Sequence, residues 1–60
     1  MNSLSAIIIT YNEEINISSC LNSLKRIADE IIVVDSYSTD RTRELCEAAG
    51  AKVFTHAFEG

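Results

Sequence analysis

Residues 31–40 read IIVVDSYSTD. Ile31 to Val34 is a short, β-branched apolar run without the three-or-four spacing of a helix, and it predicts a strand. The run is continuous rather than alternating, which implies burial on both faces, the habit of a parallel sheet. It ends in a carboxylate, Asp35, and passes at once into small polar residues. Thr39 or Asp40 has the chemistry of a helix start. A buried strand ending in an acid and turning directly into a helix raises the question of what the acid faces.

Two further apolar runs flank this one. Leu4 to Ile9 predicts a first strand, and Ala51 to Thr55 a third, weaker one. Between the first two, Ile17, Cys20, Leu21, Leu24 and Ala28 recur at helical spacing. Asn12 is the expected N-cap of that helix, with Glu13 and Glu14 in its first turn and Lys25 and Arg26 in its last, as the helix dipole favours. In the second helix Leu45, Ala48 and Ala49 form the apolar side, and Gly50 supplies the left-handed stop. The order is β-α-β-α-β. Right-handed crossovers put both helices on one face of a parallel sheet with strand order 3-2-1, half of a doubly wound, Rossmann-like α/β fold. The other face is then bare, although its strands read as buried. A continuation of the chain, or a second copy, is expected to cover it.

Sixty residues leave room for one core, so residues 1–60 are read as a single partial domain. A formal charge of −4 argues against nucleic acid as a partner. The apolar run Ala6 to Ile9 is too short for a signal-peptide core or a membrane span, so a cytoplasmic location is expected. Cys20 and Cys46 make neither a disulfide framework nor a metal knuckle, and are expected as small apolar helix residues.

In open parallel sheets ligands bind outside the carboxyl ends of the strands. Thr10 to Glu13, Asp35 to Ser38 and His56 to Gly60 reach that edge. Asp35 can accept hydrogen bonds from a base or from ribose hydroxyls, or can serve as a turn carboxylate. Tyr11 offers a ring for stacking, or is an ordinary rim aromatic. Thr10 can donate its hydroxyl. Glu13 suits a ribose as well as it suits the helix dipole. Asp40 reads as a cap and His56 as a surface residue. The chain has no G-x-G-x-x-G and no P-loop. No catalytic set and no metal-ligand cluster is assignable.

AIIITYNEEINISSCLNSL (6–24) and ADEIIVVDSYSTDRTRELCEAAGAKV (28–53) resemble the N-terminal segment of family 2 glycosyltransferases with the GT-A fold, closest to the bacterial lipopolysaccharide-core type. The resemblance rests on a strand running into T-x-N-E and on V-V-D-[DS]-G-S-T-D-x-T, in the right order over nearly the whole chain. It implies a nucleotide-diphosphate-sugar donor, with UDP favoured. Sugar transfer to an acceptor hydroxyl, in cell-envelope polysaccharide synthesis, follows from the same resemblance. It assigns nucleotide contacts to Thr10, Tyr11, Glu13, Asp35 and Ser38, with Asp35 on the base.

Tyr37 departs from the pattern, standing where the family has glycine, and there it strains the turn or narrows the pocket. Ser36 replaces a second aspartate. The family's D-x-D metal motif, catalytic base and acceptor site fall beyond residue 60. No catalytic or metal residue is therefore assigned here, and the sixty residues alone are expected to be inactive. Divalent Mn or Mg belongs to the full-length enzyme, for which peripheral membrane association is a further expectation. A self-associating, non-enzymatic assembly module is the alternative. A receiver-like domain phosphorylated on Asp35 is disfavoured, because no acidic pair follows the first strand.

Overall fold

A computed structural model describes residues 3–57. Its order is β1 (Ser5–Thr10), α1 (Ile17–Lys25), β2 (Glu30–Asp35), α2 (Thr42–Ala48) and β3 (Lys52–Thr55). All pairings are parallel, and β2 lies between β1 and β3, which is the expected 3-2-1 order. Thr10 pairs with Asp35 and Asp35 with Thr55, so all three strands end in register at one polar edge.

Both helices pack on the same face of the sheet. Ile17 and Leu21 of α1 and Cys46 of α2 close over Ile31 and Val33 of β2, and these five residues are the buried apolar core. Leu21 is 1% exposed and sits at the centre of that core. Leu21→Ala is expected to cost about 2–5 kcal/mol, a loss that urea unfolding would measure. A chain of this size has on the order of 3–9 kcal/mol in total.

The opposite face is bare, as the sequence implies. The register puts Ile7 beside Ile32, Ile9 beside Val34, and Val34 in turn beside Phe54. Ile7, Ile9 and Phe54 are exposed, and Ile32 and Val34 are half-buried between them. Only the amino end of this face is polar, where Lys52 lies 3.7 Å from Glu30.

Three expectations about the helices are corrected. α1 begins at Ile17, and its N-cap position is Asn16 rather than Asn12. Glu13 and Glu14 therefore precede the helix; the Glu13 carbonyl accepts from the amides of Asn16 and Ile17 to make the entering turn. The cause is that the Asn12 side chain is engaged elsewhere, across the sheet edge. α2 begins at Thr42, and Asp40 caps its start as expected, accepting the Thr42 amide on Oδ1 at 2.9 Å. Ala48 and Cys20 are exposed, and Thr42 and Cys46 supply the buried side of α2. Gly50 stops α2 as expected. With φ at +89°, it lets its own amide reach Glu47 O and the Ala51 amide reach Cys46 O, the paired bonds of a Schellman ending.

Candidate functional site

Asp35 organises the carboxyl edge. In β2 it shares a face with Ile31 and Val33, so its side chain points under the helices and is 0% exposed. Oδ1 accepts from Thr10 Oγ1 at 2.7 Å and from Ser38 Oγ at 2.6 Å, and Oδ2 accepts from the Ser38 amide at 2.7 Å. Arg43 Nε lies 3.7 Å from Oδ2. Burial by itself would raise the carboxyl pKa. The hydrogen bonds from Ser38 and Thr10, with the Arg43 charge behind them, outweigh burial and hold it below the ordinary aspartate value.

The edge loops are laced to each other. The Asn12 amide donates to Ser38 Oγ at 2.9 Å, and Asn12 Oδ1 accepts from the Thr39 amide at 2.8 Å. The Glu13 amide donates to Thr42 Oγ1 at 2.8 Å, and the Glu14 amide to Asp40 Oδ2 at 3.2 Å. In return the Arg41 amide donates to Glu14 Oε1 at 3.1 Å. Thr42 is fully buried, and its hydroxyl donates to Asp40 Oδ1 while accepting from Glu13. Asn12 and Thr42 are the residues that sequence reasoning missed. The signal for Thr42 was its place two residues after an aspartate at a helix start.

Two residues of these loops have positive φ. Asn12, at +48°, is of a type that tolerates the left-handed region. Tyr37, at +52°, is not, and that conformation costs on the order of 1–2 kcal/mol. The expected strain at Tyr37 is therefore present. Its ring is more than half exposed.

The five nucleotide residues assigned by resemblance divide into two groups. Thr10, Asp35 and Ser38 are joined by hydrogen bonds and are all buried. Tyr11 and Glu13 lie exposed at the edge. Asp35, assigned to the base by resemblance, has both oxygens engaged by Thr10 and Ser38 and is 0% exposed. Thr10 and Glu13 also line a cleft of about 360 Å³ between β1 and the start of α1, with Ile8, Ile17 and Cys20. Of the third edge segment only His56 and Ala57 lie within the described residues; 58–60 lie outside them. His56 is exposed, and its amide donates to Asp35 O. Among the described residues no group of three or more His, Cys, Asp or Glu side chains could hold a metal ion. No helix among them is long and apolar enough to cross a membrane.

A three-stranded parallel sheet whose strands end together, with both helices on one face, is half of a Rossmann-like α/β fold. The model of glycosyl transferase family 2 matches residues 5–59, and the chain belongs to that family. It is 53% identical over 57 residues to an uncharacterized glycosyltransferase of Rickettsia bellii, covering 95% of this chain and 19% of that protein. It is 51% identical over 45 residues to the lipopolysaccharide core biosynthesis glycosyltransferase LpsC of Rhizobium meliloti, covering 75% of this chain and 16% of LpsC. Glucosyl-3-phosphoglycerate synthase from Mycobacterium tuberculosis, solved with UDP, has a TM-score of 0.77 and 37% identity, covering 88% of this chain and 21% of the synthase. The same enzyme has been solved with Mn2+, UDP-glucose and phosphoglyceric acid. The chain thus spans about a fifth of the length of the Rickettsia relatives it matches.

Proposed function

We propose that residues 1–60 are the N-terminal nucleotide-binding portion of a glycosyltransferase that moves a sugar from a UDP-sugar to an acceptor hydroxyl in cell-envelope polysaccharide synthesis. The observation that carries this reading is the Asp35 hub at the carboxyl edge, where the ends of β1 and β2 and the two following loops are fixed together. The likeness to an enzyme solved with UDP supports the donor, and the likeness to LpsC supports the pathway class.

In this reading Tyr11 stacks on the base and Glu13 reaches the ribose hydroxyls. Thr10, Asp35 and Ser38 act by position: they hold the loop backbone to which the nucleotide docks. Divalent Mn or Mg belongs to the full-length enzyme and would be held by residues other than these, since among the described residues no group of three or more His, Cys, Asp or Glu could hold a metal ion. With no base assigned either, the sixty residues alone bind without turnover. The protein works in the cytoplasm, with peripheral attachment to the membrane where its acceptor is assembled.

NMR titration with UDP, GDP, ADP and CMP, with and without Mn²⁺, tests the reading. UDP is expected to shift the amides of Thr10, Tyr11 and Ser36 more than the other nucleotides do. Tyr11→Ala is expected to weaken UDP about tenfold, within the range for one base on one aromatic ring. Its stability should change by no more than about 0.5 kcal/mol, because the side chain is exposed. A folded protein whose amides ignore every nucleotide would sink the proposal. The second reading, a self-associating assembly module, is favoured by one observation, the bare face of Ile7, Ile9 and Phe54.

A further inference from the structure

We propose that Tyr37 is a second aromatic contact for the nucleobase, set opposite Tyr11, so that the two rings wall a slot at the sheet edge. The inference rests on the nucleotide reading above. The loops are matched residue for residue. The Ser36 amide donates to Thr10 O at 2.8 Å, and the Asn12 amide donates to Ser38 Oγ at 2.9 Å. Tyr11 and Tyr37 are the residues between these two ties, so the backbone presents them as a pair. Their exposures are 58% and 56%. Among the described residues no hydrogen bond holds either phenol.

The turn itself has no need of a ring at position 37. Ser38 clamps the turn to Asp35 through its amide and its hydroxyl, and the Ser36 amide ties it to β1. Tyr37 adds only a φ of +52°, which glycine or asparagine would adopt at less cost. A bulky residue held in a sparsely populated conformation at a ligand edge points to a role for the group it carries. Two part-exposed rings at matched positions suit a flat π system, and a nucleobase is the flat part of a nucleoside diphosphate. Stacking of this kind tolerates different bases, so the pair sets affinity, and its spacing sets which ring size enters.

Calorimetric titration of the intact protein with UDP, beside thermal melting, tests the inference. Tyr37→Asn removes the ring and keeps a residue at ease with positive φ. It is expected to weaken UDP about tenfold while melting no lower than the parent. Tyr37→Phe keeps the ring and is expected to bind UDP within about twofold of the parent. If Tyr37→Asn binds UDP as the parent does, the inference is overturned and the nucleotide reading stands. If Tyr37→Phe loses as much affinity as Tyr37→Asn, ring stacking is overturned as well. A parent protein that binds no UDP overturns both readings together.

Discussion

Asp35→Ala is expected to destabilise the fold by about 3–5 kcal/mol, most of what a chain of this size has. The substitution leaves the Thr10 hydroxyl, the Ser38 amide and the Ser38 hydroxyl without their acceptor in a site that water does not reach. Each unsatisfied buried donor costs about 1–3 kcal/mol, reduced where a hydroxyl can turn to another partner. Asp35→Asn should cost less, about 1–2 kcal/mol. The Ser38 amide can only donate, so the asparagine oxygen must face it. The NH₂ then meets the hydroxyls of Thr10 and Ser38, which can accept. Urea unfolding of the three proteins at neutral pH measures the order.

The same proteins at low pH measure the linkage. The folded pKa of Asp35 is depressed, so its charge-dependent stability is fully present above the unfolded value of 3.8 and is lost as pH falls through the lower, folded value. Asp35→Asn should therefore flatten the acid limb of the stability curve. An equally steep limb in Asp35→Asn would place the acid sensitivity at other carboxylates, and Asp40 is the next to examine, because Thr42 holds its pKa down too.

The second large effect is expected on the bare face, with opposite signs in two lengths of chain. Ile9 is 65% exposed here and lies in the apolar patch on the edge strand β1, beside Val34. In a polypeptide of the relatives' length, Ile9→Glu should cost several kcal/mol, because a charge would be buried against whatever covers the sheet. In residues 1–60 alone the same change should move stability by no more than about 0.5 kcal/mol and should reduce self-association. Urea unfolding and sedimentation velocity on both lengths decide the matter. A long chain indifferent to Ile9→Glu would mean that the face is open there too, and would favour the assembly reading.

The element order, the parallel sheet and its bare face were all legible in the sequence, because apolar runs and a glycine stop are local signals. The helix starts were not. Asn12 has the chemistry of a cap, yet spends it on Thr39, 27 residues away. A side chain's partner across the sheet has no trace in its neighbours. The site was legible as a set of positions and less so as roles. Asp35 was legible as the edge carboxylate, while its burial beneath the helices was not. Its place two residues after Val33, and four after Ile31, would have put it on the helix-covered face. The continuous apolar run obscured that alternation.

The lacing between the two edge loops bears on how this chain can vary in length. Surface loops ordinarily take insertions with little penalty. Here residues 12–14 and 38–42 are tied by six side-chain-mediated bonds, each spanning 26 to 29 residues of chain. One residue added to either loop would put every later tie out of step, so neither loop can lengthen unless the other adjusts with it. At the opposite end of the sheet Asp29 is itself tied to Leu4, donating its amide to Leu4 O at 2.8 Å and accepting the Leu4 amide on Oδ2 at 2.8 Å, whereas the amides of residues 49–51 bond only back into α2. Tags, grafted segments and natural insertions are therefore best accommodated around residues 49–51, away from the laced carboxyl edge.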